Sequence, residues 1–320
     1  MRIVVALVFA TGLANAAEET SSERPERRWE TDLVSEYYGI ESDEQTDFPI
    51  SELHQGCPRQ DCIPSIDNPN FVAAGAVDFL RDDDLVLGVV VNDDARAYSA
   101  RVLQRHEIVN GEIGGEAIAV TYCPLCGSGV AFSRIVNGET VNFGVSGILH
   151  NSDLVLFDRS SRTLWQQITG VAFAGPNRGQ KLTSVPVRMT DWASWKAAHP
   201  ESLVLSLDTG FDEDYEVDHY VSYRGSERLF AGGTIDPRLH PKRVVYGFEV
   251  DGKAIAFDAA LLEEKVELHE SFAGRNLLLT RSNDGEVKLT EVGLGTNWSG
   301  QRMFWFAWYS FHTDTVLIAP

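Results

Sequence analysis

The chain has 320 residues, 43% of them hydrophobic and 10% aromatic, which is enough to bury one large core or two small ones. Its formal net charge of -20 speaks against nucleic acid and anionic membranes as partners, since both need a basic surface.

In chain order, the first element reads as a secretory signal. Arg2 gives a positive start, residues 3–13 are apolar and small, and Ala14-Asn15-Ala16 is a small-residue cleavage site. The run is too short to span a bilayer, and no later run reaches spanning length. Cleavage after Ala16 is therefore expected, with a periplasmic or extracellular mature protein. Residues 17–60 read as an N-terminal extension, and residues 61–320 as a single duplicated domain. Four cysteines are present: Cys57, Cys62, Cys123 and Cys126. Cys57 and Cys62 flank a short segment beside Ile63-Pro64, where a local disulfide is expected in an exported chain.

Two stretches of the chain match without a gap. Leu85 to Thr121 lies over Val244 to Thr280 and shares Val86/Val245, Gly88/Gly247, Ala97/Ala256, Leu103/Leu262 and Gly115/Gly274. Each copy reads as strand, polar turn, strand, short helix, strand; the turns Asn92-Asp93 and Asp251-Gly252 have hairpin chemistry. A second pair matches Trp192-x-x-Trp195-x-x-x-His199 to Trp305-x-x-Trp308-x-x-x-His312, a spacing that places all three rings on one helical face. Repeat one therefore covers about 85–205 and carries an insert; repeat two covers about 244–318. The expected fold is α+β, mainly antiparallel β with short helices near 97–106, 191–198, 256–265 and 302–310, in two pseudo-repeated halves forming one compact body. Residues 208–218 form an acidic cluster that reads as a solvated loop, since it lacks the spacing of an EF-hand calcium loop.

What one copy has and the other lacks marks the candidate chemistry. Cys123-Pro124-Leu125-Cys126 falls on the plain turn Ser282-Asn283-Asp284-Gly285, and His106 falls on Lys265, whereas His199 and His312 recur and read as packing residues. Strand-like flanks place the cysteines in a turn between strands. Three readings follow. A redox-active dithiol would use Cys123 as attacking thiolate, Cys126 as resolving thiol and His106 as base or stabilising cation. A metal knuckle would use Cys123, Cys126 and His106 for zinc or copper. A structural disulfide would staple a non-catalytic binding protein. The partner under the first reading is a thiol, disulfide or small molecule of unknown identity.

The Cys-Pro-Leu-Cys block, together with Arg96-Ala97-Tyr98, His106-Glu107-Ile108-Val109-Asn110, Phe143-Gly144-Val145-Ser146-Gly147, Ser152-Asp153-Leu154, Asp158-Arg159 and Leu164-Trp165-x-Gln167, resembles an exported prokaryotic family catalogued as domain of unknown function 3179. The resemblance runs from about Asp61 to Thr315. Some members are selenoproteins, which implies redox or nucleophilic work for the motif if selenocysteine replaces one of its cysteines. Ser99, Gly111 and His219 depart from the family pattern. Cys57 and Cys62 are not general family features, and His150 occupies a variable position, which ranks it below His106. The block 143–147 suggests a tight turn near the cysteine loop. Ser146, Asp153, Asp158, Arg159, Trp165 and Gln167 are expected either to line a pocket or to form a buried hydrogen-bond network.

Overall fold

A computed structural model describes residues 32–264 and 267–320. The expected signal segment lies outside the described residues. Most strands pair antiparallel and the helices are short, so the fold is α+β.

The two halves repeat the same pair of sheets. In the first half, Arg188–Asp191, Leu85–Val91, Asp94–Ser99 and Leu203–Leu205 lie side by side in that order, with Phe71–Ala73 added at the edge. In the second, Gln301–Phe304, Val244–Val250, Lys253–Asp258 and Val316–Ile318 repeat the arrangement. In both, the last-named core strand runs parallel to its neighbour, as a strand must when a helix carries the chain back across. A second sheet in the first half orders Ser184–Val185, Ser128–Ser133, Glu116–Cys123 and Ile108–Ile113. Its counterpart orders Asn297–Ser299, Val287–Glu291, Arg275–Arg281 and Glu267–Phe272.

The recurring tryptophans explain why both copies keep glycine at one strand position. Trp195 and Trp308 are buried and lie directly over Gly88 and Gly247, where any Cβ would collide with the indole. Trp195 Nε1 donates to Ser202 Oγ at 3.1 Å and Trp308 Nε1 to Thr315 Oγ1 at 2.9 Å, which are matching positions in the two copies. His199 and His312 close the two helices and pack on these indoles, with ring centroids 4.2 and 3.9 Å away.

Three helices start later than their sequence pattern suggests. Ala97 to Ser99 stay in the ladder with Leu85–Val91, and Ser99 Oγ then caps Ala100–His106 by accepting from Arg101 N–H. Asp258 likewise pairs with Val245 before Leu261–Glu264, and Gln301–Phe304 is strand up to Trp305–Phe311. Sheet pairing overrides helix propensity at each junction. Lys265 lies outside the described residues.

The insert of the first half builds a fifth sheet: Leu53–Gln55, Phe143–His150, Asp153–Asp158, Leu164–Gln166 and Ala172–Ala174. Residues ahead of Cys57 belong to this layer, because Leu53–Gln55 is its edge strand and Leu33 and Val34 share its core. Cys57 and Cys62 form a disulfide beside it. The block 143–147 is not a tight turn at the Cys123 loop. It is strand with a bulge, and Gly147 approaches Cys57 and the Arg59 carbonyl instead.

Candidate functional site

Two hairpins converge on the site. The first is the turn between Glu116–Cys123 and Ser128–Ser133, where Cys123 pairs with Ser128, Cys126 N–H donates to Cys123 O at 3.2 Å, and Gly127 takes φ 59°. The second is the tip of the insert hairpin, where His150 pairs with Asp153 and Asn151 and Ser152 take φ 54° and 60°. Two consecutive left-handed residues make the twisted two-residue turn that suits an antiparallel pair. The chain at 231–232 pins this tip: Ser152 Oγ donates to Ala231 O and Gly232 O at 3.0 Å, and accepts from Ala231 N–H at 2.9 Å.

Cys123 and Cys126 are free thiols with 1% and 0% exposure. Both point at Ser152 O, 3.7 Å from Cys123 Sγ and 3.4 Å from Cys126 Sγ. Asp153, at 0% exposure, stands beside them: the two sulfurs and one of its carboxylate oxygens lie within 4.8 Å of one another. Its Oδ2 accepts from Gln166 Nε2 at 2.6 Å and from Ile168 N–H at 3.1 Å. Its Oδ1 is buried and has no partner among the described residues. Buried carboxylate oxygens are normally satisfied, so Oδ1 marks a position for a proton or a cation.

The electrostatics are uniform in sign. Burial pushes the Cys123 thiol up and the Cys126 thiol well up. Burial raises Asp153 to about 6, against the hydrogen bond from Gln166. Burial likewise raises Glu107 to about 8, and the Asp153 charge adds to it. The Tyr223 hydroxyl is buried, is raised chiefly by burial and then by the two cysteines, and has no hydrogen-bond partner among the described residues. Low-dielectric surroundings thus favour the protonated form of every acid at this site.

The candidates from sequence separate clearly. Gln167 clamps the cysteine hairpin, donating to Thr121 Oγ1 at 3.0 Å and accepting from Ser128 Oγ at 2.9 Å. Ser146, Asp158, Arg159 and Trp165 belong to structural networks. Ser146 Oγ accepts from Ile148 N–H. Asp158 accepts from Ser161 and from Trp165 Nε1 at 3.1 Å. Arg159 pairs with Asp61 and Asp67.

His106 does not join the sulfurs and has no nitrogen free for them. Its Nδ1 lies 2.8 Å from Pro64 O and its Nε2 lies 2.7 Å from the Tyr215 hydroxyl, so it ties the acidic segment to the body. The third group beside the thiols is Asp153. His150, ranked low from sequence, is connected to it: His150 Nδ1 donates to Gln166 Oε1 at 2.7 Å, and Gln166 in turn holds Asp153. Sequence spacing carries no signal for this chain, because its members meet only once the insert sheet forms.

No curated protein and no solved structure matches the chain. The model of the family described as "Protein of unknown function (DUF3179)" matches residues 60–298, which include both hairpins of the site. The chain belongs to the DUF3179 family.

Proposed function

We propose that this is an exported metal-binding protein whose ion, zinc or copper(I), is held by Cys123, Cys126 and Asp153. One observation carries the reading: two buried thiols and the buried Asp153 carboxylate lie within 4.8 Å of one another, and apart from the thiols Asp153 Oδ1 has no partner among the described residues. A soft cation suits thiolates, and its charge would offset the burial that otherwise keeps these groups protonated. The hairpin that bears Cys123 and Cys126 supplies a pair of sulfurs on one turn, as metal knuckles do. Three protein atoms leave one position of a tetrahedral zinc for another ligand. The His150–Gln166 link orients the carboxylate, the usual task of residues behind a metal ligand. Export rests on the signal-like residues 1–16 and fits the Cys57–Cys62 disulfide. Among the described residues no helix is long and apolar enough to cross a membrane.

A thiol redox role is the second reading. The observation favouring it is that two unbonded sulfurs lie within 4.8 Å of a carboxylate, which can accept a thiol proton as one sulfur attacks a partner disulfide; that disulfide takes the two electrons and leaves as a dithiol when the second sulfur closes the Cys123–Cys126 bond. Enclosure and raised thiol pKa values weigh against attack on a protein partner.

Elemental analysis of protein purified under reductant separates the two. The metal reading expects about one equivalent of zinc or copper, lost in Cys126→Ser and reduced in Asp153→Ala. Metal-free protein that quantitatively forms a Cys123–Cys126 disulfide in air would overturn it in favour of the second.

A further inference from the structure

The cysteine hairpin also forms part of the wall of a cavity of about 480 Å³ at the junction of the two halves. Tyr122 and Gly127 contribute from the hairpin, and Phe304 from the second half. Phe304 N–H donates to Cys126 O at 2.8 Å, and the Phe304 ring covers Gly127.

Five cations line this cavity, and carboxylates engage three of them. Arg101 pairs with Asp84 at 3.1 Å and Glu216 at 2.7 Å, Arg81 with Asp84 at 3.1 Å, and Arg224 with Asp218. Arg302 and Lys242 have no carboxylate partner among the described residues. Lys242 is 6% exposed. It donates to the carbonyls of Ser226 at 2.9 Å and Arg228 at 2.6 Å, and has no third hydrogen-bond acceptor among the described residues. A chain with 47 acidic residues has no shortage of counter-charge, so a buried Lys242 without a carboxylate among the described residues calls for an explanation, and half-buried Arg302 stands on the same wall.

The internal repeat sharpens the point. A sister cavity of about 350 Å³ lies beside the first, with Asp83, Leu85, Val244 and Arg302 on the wall common to both. Strand register equates Met189 with Arg302, because Met189 pairs with Leu87 as Arg302 pairs with Tyr246. Lys242 precedes Val244 as Asp83 precedes Leu85. Arg302 and Asp83 face both cavities, whereas Lys242 lines only the one beside the cysteine turn and Met189 only its sister.

We propose that this cavity binds the oxyanion group of a small molecule, a carboxylate or a phosphate, held by Arg302 and Lys242 against the cysteine loop. Arg302 offers a planar fork suited to an oxyanion, and Lys242 offers a point charge held over the Tyr223 ring at 4.2 Å. Burial depresses Lys242 to about 8, and a bound anion would restore its charge. The inference extends the metal reading by naming the class of molecule brought to the loop, and it does not require the ion.

Calorimetric titration of the mature protein with inorganic phosphate, and separately with succinate, at ionic strength balanced with chloride, tests it. Saturable one-site binding of at least one anion is expected, and which one binds identifies the group. Arg302→Met, the sister-site residue, and Lys242→Gln should each weaken binding by about tenfold or more, as loss of a charged hydrogen bond does. Lys196→Met, on an exposed helix position, should leave it unchanged. Should Arg302→Met fail to fold, Arg302→Lys and Lys242→Gln carry the test. Absence of saturable binding by either anion, or unaltered affinity in the variants, would overturn the proposal. Chelator-treated, metal-free protein should bind the anion as the untreated protein does, so a failed metal analysis and a failed anion titration are separate results.

Discussion

Replacing Glu107 by glutamine should make the metal-free protein more stable at neutral pH while leaving it unimproved in acid. Glu107 is buried, and burial raises its carboxyl from 4.5 to about 8, with Asp153 adding to the shift. The folded state therefore binds a proton more tightly than the unfolded chain. Its stabilising effect is complete below the unfolded value and is lost as pH rises through the folded one. At 1.36 kcal/mol per pKa unit, the wild type should lose roughly 3 kcal/mol between pH 5 and pH 7.5 from this group alone. Asp153, raised from 3.8 to about 6, acts in the same direction in both proteins, so the difference between them reports Glu107 and its coupling to Asp153. Urea unfolding of reduced, chelator-treated wild type and Glu107→Gln at the two pH values measures the difference through the midpoint at constant slope. Parallel stabilities at pH 5 and pH 7.5 would refute the idea that an uncompensated carboxyl is buried beside the thiols.

Gln166→Leu removes the side-chain hydrogen bond to Asp153 Oδ2 and the acceptor of His150. Metal affinity should fall by about tenfold or more in competition with a chromogenic chelator, as for other losses behind a metal ligand. His106→Ala should leave metal stoichiometry intact while raising protease sensitivity in the acidic segment that it tethers through Tyr215. Gly127→Ala forces a Cβ to 2.8 Å from Phe304 Cζ at a residue with φ 59°, and should cost about 2 kcal/mol of stability by urea unfolding. Metal binding should weaken steeply as pH falls, because protons compete for both raised thiols and for Asp153; calorimetry in two buffers should show proton release on binding.

Local patterns were legible in the sequence, and meetings between distant segments were not. The turn around Cys123, the matched Gly88/Trp195 and Gly247/Trp308 pairs, and the disulfide partners all depend on residues close in sequence or on a repeated pattern. Helix starts at Ala100 and Leu261 were misplaced because the ladder partners that hold Ala97 and Ala256 lie on another strand. Asp153 was visible as a polar residue in an apolar run, but its approach to the sulfurs needs the tip at Asn151–Ser152 to be pinned by the chain at 231–232. His106 was favoured because it is unique to the first repeat, yet that uniqueness reflects its bond to Tyr215, in a segment the second repeat does not possess. Arg302 was passed over: the Trp192/Trp305 match, carried three residues back, sets it against Met189, and strand register gives the same pairing.

Anomalous diffraction from crystals of reduced protein grown with zinc tests the central claim most directly. The account predicts one ion in bonding contact with Cys123 Sγ, Cys126 Sγ and Asp153 Oδ1. Continuous density joining the two sulfurs, with Oδ1 still solitary and zinc found only at the surface, would contradict it.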